Sequence, residues 1–313
     1  MKAIGESVPV PVRHVLLAIG VAVVWGVNFI AIHASLQQFP PLLLVALRFA
    51  LLAIPTVLFV PRPRVATRWL LGYGLGFGTL QFIGLYLGMA AGFPSGLASL
   101  VLQASAPFTV VLGALLLRER ISVRSAVGVG VAVAGLAVVG ISRGASGGWW
   151  PFLLVLFGGL GWAFGNLATR KAQAPDPLHL TLWMSTVPPI PMLLLSLAVE
   201  GPHRIAAAFT TSLTSAAVPA WVGLAYTVLI GTVLGSGAWV WLMSRHPASS
   251  IAPFSMLVPV TGLTAAWLAL GEVPQPLELL GGAAVIGGVL WASLRRPVVT
   301  TAVEPALAEP VPD

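Results

Sequence analysis

Ten apolar runs, each about twenty residues long, divide this 313-residue chain almost from end to end. They occupy residues 14–34, 40–60, 68–91, 95–117, 122–141, 149–169, 177–199, 217–242, 248–270 and 276–294. Twenty residues of α-helix rise about 30 Å, the thickness of a bilayer's hydrocarbon core. Within that core every backbone N–H and C=O must bond internally, which leaves only helices or a closed barrel. No run alternates apolar and polar residues as barrel strands do. The sequence therefore predicts an all-α integral membrane protein of ten transmembrane helices. Composition agrees, with 58% hydrophobic and 8% charged residues, against about 25% charged in a soluble domain. The first run follows Lys2 and Arg13 as a signal peptide would, but no small-x-small cleavage site follows directly after it and it takes part in the repeat described below, so it is read as a span.

The formal charge of +7 needs a use. Its basic residues are scattered between apolar runs, so no basic face follows a phosphate backbone and nucleic acid is excluded as a partner. With the N-terminus in the cytoplasm, 13 Lys and Arg fall in inner connections and tails, and only Arg143 and Arg204 fall outside. That bias predicts both termini inside, in an inner (plasma) membrane. Cysteine is absent, which removes disulfides, thiol nucleophiles and thiolate metal sites. Residues 1–13 read as a cytoplasmic N-terminal segment and 295–313, rich in proline and acid, as a disordered cytoplasmic tail.

The two halves resemble each other. "GTLQFIGLYLGMAAGFPSG" from Gly78 answers "GTVLGSGAWVWLMSRHPAS" from Gly231. A constant offset of 153 pairs Pro94 with Pro247, Glu119 with Glu272, Gly128 with Gly281 and Gly135 with Gly288. Upstream, Trp25 pairs with Trp162 at an offset of 137, so the second half carries 153 − 137 = 16 extra residues, assigned to the 200–216 connection. The repeats are 14–141 and 149–294, five spans each. An odd number of spans makes the second copy insert from the opposite side. Inverted pairs of this kind place a substrate site near the midplane and work by alternating access.

On "WGVNFIAIH" in the first span, "ALRFALLAIP" in the second, "LLLRERIS" closing the fourth and "PVTGLTAAWLALGEVPQP" in the second half, the chain resembles the EamA-type, ten-helix exporters of the drug/metabolite transporter superfamily. Among them the aromatic amino-acid and paraquat exporters are the most similar. The resemblance implies efflux of small metabolites, often amino acids, through a central cavity, with no cofactor. One departure stands out: the family pattern has glycine before the glutamate, where "RERIS" has Arg118. That puts the shape of this turn in question.

Several polar and aromatic residues lie at mid-depth and are candidate substrate-binding groups. Trp25 and Asn28 share one face of the first span, and Trp162 and Asn166 repeat the pattern in the sixth. Gln81, Tyr86, Gln103, Trp183, Tyr226 and Trp239 complete the set. An aromatic wall with few polar groups suits an amphipathic ligand. The asparagines could equally clamp a neighbouring helix. Arg48 is the one basic residue well inside a span. It could pair with a substrate carboxylate or serve structure by binding carbonyls or snorkelling. Glu119 and Glu272 sit at span ends and read as ties between helices. None of the nine acidic residues lies near a span centre, so no proton- or sodium-carrying carboxylate is visible. His33 and His246, near the membrane surfaces, read as hydrated interfacial residues.

Glycine pairs at four-residue spacing, such as Gly84/Gly88 and Gly161/Gly165, predict close helix approach. Prolines such as Pro55, Pro107, Pro188 and Pro259 predict kinks. The function expected is a transporter exporting small amphipathic metabolites, chiefly aromatic or bulky apolar amino acids. A multidrug or nucleotide-sugar carrier on the same fold is the alternative. An intramembrane enzyme lacks support, because H-E-x-x-H does not occur and no pair of aspartates lies within a span.

Overall fold

The computed structural model describes residues 10–145 and 148–293. The tail expected to be disordered lies outside the described residues, as does most of the N-terminal segment. Among the described residues every long element is helical, and ten helices are long and apolar enough to cross a bilayer. They are α1 (Val12–Leu36), α2 (Pro41–Phe59), α3 (Thr67–Ala90), α4 (Ser95–Leu117), α5 (Val123–Ala145), α6 (Trp149–Ala172), α7 (Pro177–Val199), α8 (Ser215–Arg245), α9 (Ala252–Leu270) and α10 (Pro276–Ser293). The protein is thus a multi-pass membrane protein. Side chains such as Ile54, Leu58, Leu115, Leu268 and Leu280 are exposed. Apolar residues left bare over the outer helical faces are what a lipid solvent requires.

Small residues set the packing. Gly128 and Gly135 of α5 lie against Gly288 and Gly281 of α10, so tightly that a Cβ on Gly135 would sit 2.5 Å from the Gly281 carbonyl oxygen. Gly76 and Gly84 of α3 meet Gly165 and Gly158 of α6 in the same way. Without water, helix association in a membrane rests on such close backbone contact rather than on the hydrophobic effect. Elsewhere α1 packs on α8 and α9, α2 on α7, and the first half of α4 on the second half of α9.

Several spans are interrupted. A 3₁₀ turn, Leu102–Ala104, precedes Pro107 in α4, and another, Ala252–Met256, opens α9 ahead of Pro259. The helix of α7 breaks between Met184 and Pro189. Pro55, by contrast, leaves α2 unbroken. Two π-helical stretches, Gly74–Leu80 in α3 and Tyr226–Leu234 in α8, have no forerunner in the proline pattern. The 200–216 connection contains the helix Pro202–Thr211, which covers the α1–α2 turn. Gln38 Nε2 donates to the Ala208 carbonyl at 2.7 Å, and Phe39 meets Phe209 edge-on.

The turn after α4 keeps the shape of its counterpart despite the missing glycine. Arg118 adopts φ 56° and Gly271 φ 67°, both left-handed. In each, the glutamate that follows donates its N–H to the carbonyl six residues back, Glu119 to Gly113 and Glu272 to Ala266, both at 3.3 Å. This bond, one residue longer in reach than the 6→1 bond of a Schellman turn, satisfies a carbonyl at the helix end. It holds Arg118 in a conformation that costs a non-glycine residue about 1–2 kcal/mol.

Candidate functional site

Arg48 organises the middle of the bundle. It lies on α2 and is 7% exposed. Its Nη1 donates to Tyr86 Oη of α3 and its Nη2 to Thr232 Oγ1 of α8, both at 3.1 Å. The guanidinium carbon stands 4.2 Å from the Phe82 ring centroid and 5.4 Å from that of Phe49. Such cation–π contacts partly offset the loss of water around the charge. Among the described residues no carboxylate pairs with Arg48, and its Nε has no hydrogen-bond partner. A desolvated cation without a counterion costs several kcal/mol, so the centre of this bundle attracts an anion.

The aromatic surroundings continue from Phe82. Its ring meets Tyr86 at 5.6 Å and Phe77 at 6.0 Å, and Phe77 meets Trp162 of α6 edge-on at 5.7 Å. On the other side, Thr232 adjoins Gly231, whose carbonyl accepts from Trp25 Nε1 at 2.9 Å. The Trp25 ring lies 5.3 Å from Trp239. Arg48 and Trp25 therefore converge on one dipeptide, Gly231-Thr232, within the π-helical stretch of α8.

That stretch has a counterpart. Thr232 Oγ1 donates to the carbonyl of Thr227 at 2.8 Å, and Thr79 Oγ1, 153 residues earlier, donates to Gly74 at 3.2 Å. Both reach five residues back, across the wider turn of a π-helix. Such bulges recur at functional sites because they displace carbonyls from the regular ladder.

Two amide oxygens within the bundle are enclosed without a donor: Asn28 Oδ1 on α1 and Gln81 Oε1 on α3. Asn28 abuts Gly231, where a Cβ would lie 2.9 Å from its oxygen. Gln81 precedes Phe82 in the chain. An enclosed acceptor with no donor costs about 1–3 kcal/mol. One unpaired guanidinium N–H and, beside Gly231, one unpaired amide oxygen thus belong to the Arg48 cluster.

The structure brings together Trp25, Asn28, Arg48, Tyr86, Trp162 and Trp239 of the residues singled out in the sequence, and buries Gln81 in α3. Tyr226 is joined to α1 through its hydroxyl, which donates to the Val24 carbonyl at 3.0 Å. Asn166 Nδ2 donates to Thr109 Oγ1 at 3.0 Å, tying α6 to α4. Gln103 is buried in the 3₁₀ turn of α4. Trp183 stands apart, because its indole N–H donates to the Val60 carbonyl just past the end of α2. The histidines are not solitary: His246 Nε2 lies 2.7 Å from His14 Nδ1, and His33 Nδ1 lies 3.3 Å from Ser95 Oγ. Phe77, Phe82 and Thr232 were not singled out. A phenylalanine within an apolar run carries no signal, whereas the Gly-Thr pair repeated at 78–79 and 231–232 does.

Comparison with known proteins supports this architecture. The model of the EamA-like transporter family matches residues 12–141 and again 149–294. A "Probable amino-acid metabolite efflux pump" of Salmonella typhimurium is 39% identical over 283 residues, covering 87% of this chain and 92% of the relative. Its Escherichia coli namesake is 37% identical over 281 residues, covering 88% and 92%. One solved crystal structure has a similar fold, with a TM-score of 0.59 at 18% identity over 90% of this chain and 97% of the other.

Proposed function

This chain belongs to the EamA-like transporter family, and from that premise we propose that it exports amino acids with aromatic or bulky apolar side chains by alternating access. It is a transporter and not an enzyme. The observation that carries the substrate class is Arg48, a buried guanidinium among aromatic rings with no carboxylate partner among the described residues. A substrate carboxylate would supply the missing charge through a charge-assisted hydrogen bond. The oxygens of Asn28 and Gln81 are acceptors suited to an ammonium group, and the rings of Phe77, Phe82, Trp25 and Trp162 suit an apolar side chain. The relatives' names, amino-acid metabolite efflux pumps, point the same way.

The charge split, 13 Lys and Arg against 2, supports both termini lying in the cytoplasm of an inner membrane. The two matched segments read as inverted copies. Contacts of Gly128 with Gly288 and of Gly135 with Gly281 support this, because a two-fold axis in the membrane exchanges one pair for the other. A nucleotide-sugar carrier fits poorly, since phosphates call for several cations and Arg48 alone lies mid-span.

The five acidic residues described, Glu119, Asp176, Glu200, Glu272 and Glu278, all sit at or beyond span ends. Transport should therefore need no proton or sodium gradient. Purified protein in liposomes loaded with labelled phenylalanine, with no gradient imposed, should exchange it for external phenylalanine, tryptophan or leucine but not for a nucleotide sugar. Exchange of the nucleotide sugar alone, or amino-acid movement only under an imposed pH gradient, would overturn this reading.

A further inference from the structure

Glu272 follows the turn at the end of α9, yet its carboxylate belongs to α4. It accepts from the backbone N–H groups of Ser95 at 2.9 Å and Gly96 at 3.0 Å. These are the first residues of α4, and N–H groups there have no acceptor within their own helix. Negative charge at that end also meets the helix dipole favourably. Around this cap the two repeats are tightly closed. A Cβ on Gly96 would lie 3.0 Å from the Leu263 Cα, and one on Gly262 would lie 2.5 Å from Ser99 Oγ.

The repeat register gives Glu272 a mate on the opposite face. The differences 272 − 119, 248 − 95 and 249 − 96 all equal 153, so Glu119 answers Glu272, and Ala248 and Ser249 answer Ser95 and Gly96. Glu119 leaves its helix through the same left-handed turn, and its N–H bonds the carbonyl six residues back as that of Glu272 does. Its partner differs. Glu119 Oε1 accepts from Arg170 Nη2 at 2.7 Å, and its side chain is 43% exposed. The second half of α4 packs on α5 and α6 rather than along the start of α9, so the tight closure between repeats seen at Gly96 has no counterpart on this face.

We propose that Glu272 and Glu119 are alternating latches. Glu272 caps α4 and shuts one face, as seen here. In the opposite state Glu119 leaves Arg170, caps the helical turn that begins at Ala248, and shuts the other face while Glu272 lets go. This rests on the inverted-repeat reading but not on the identity of the substrate. Glu200 gives a contrast. It caps Leu42 and Leu43 of α2 at 2.7 and 3.0 Å, but the residue 137 before it is Pro63, so it has no mate and no state to exchange with.

The absence of cysteine makes introduced thiols a clean report. Ser99→Cys marks the shut face, where Ser99 is 1% exposed, and Ala252→Cys marks its mate position on the other. Labelling with a polar maleimide in detergent reaches both faces and needs no substrate. Glu272→Gln should speed labelling at Ser99→Cys and slow it at Ala252→Cys, each by about tenfold. Arg170→Gln, a surface change that frees Glu119, should shift both positions in the same directions. Glu119→Gln should shift them the opposite way. Glu200→Gln, a loss of cap without a mate, should not drive the two positions apart. If Glu272→Gln fails to fold, the Arg170 and Glu119 variants decide. Rates that stay unchanged, or that rise together at both positions in these variants, would overturn the latch.

Discussion

A guanidinium in the middle of a bilayer must be given partners, and among the described residues Arg48 has two hydroxyls and two rings but no carboxylate. Trp162 is the other residue on which the site turns, because through Phe77 it extends the aromatic wall away from Arg48. It is only partly buried at a depth where an indole gains from a partner for its N–H. Trp162→Ala should lower transport of tryptophan about tenfold relative to valine, as expected from losing over 1 kcal/mol of aromatic contact, with expression maintained. Equal transport of both substrates by the variant, at normal expression, would reduce Trp162 to packing. Residues such as Trp25, Asn28, Arg48 and Gln81 were legible in the sequence because a polar or indole group in oil needs an explanation. Phe82 was not, since it differs from dozens of apolar neighbours only in lying beneath a cation. Trp183 looked equivalent to Trp25 by type, but its N–H ends at Val60. Which way an indole faces depends on helix rotation, and a uniformly apolar span does not encode rotation by periodicity.

At the scale of elements, all ten spans were legible, because hydrocarbon thickness sets helix length and the turns between them hold the charges and prolines. Interruptions within spans were legible only in part. Proline announced the 3₁₀ turns of α4 and α9, but the π-helical stretches at Gly74–Leu80 and Tyr226–Leu234 arise without it. Their cause is local. Glycine lets the backbone widen, and a threonine hydroxyl bonds the carbonyl five residues back. These stretches bring the Gly231 carbonyl to Trp25 and the Thr232 hydroxyl to Arg48, so an irregularity of α8 joins α1 and α2 at the site. The turn at Arg118 teaches the reverse lesson. The missing glycine pointed to a changed shape, yet the chain keeps φ 56° there, because the bond from the Glu119 N–H to the Gly113 carbonyl at the end of α4 outweighs the strain.

For the whole molecule, the charge split makes a prediction independent of the site. Reporter fusions after residues 145 and 204 should score as periplasmic and one after residue 293 as cytoplasmic, and the opposite pattern would put both termini outside. Both faces of the molecule meet at Arg48, which contacts one hydroxyl from each matched segment, Tyr86 in the first and Thr232 in the second. A substrate carboxylate bound there would touch both repeats at once, which is what coupling occupancy to exchange of states requires. The most direct measurement is calorimetric binding of phenylalanine and of phenethylamine, its decarboxylated analogue, to the purified protein and to Arg48→Gln. The native protein should prefer phenylalanine by about 10- to 100-fold, the yield of a charge-assisted hydrogen bond. Arg48→Gln should bind the two alike while remaining folded. Undiminished preference for phenylalanine in Arg48→Gln would contradict a site built around this guanidinium.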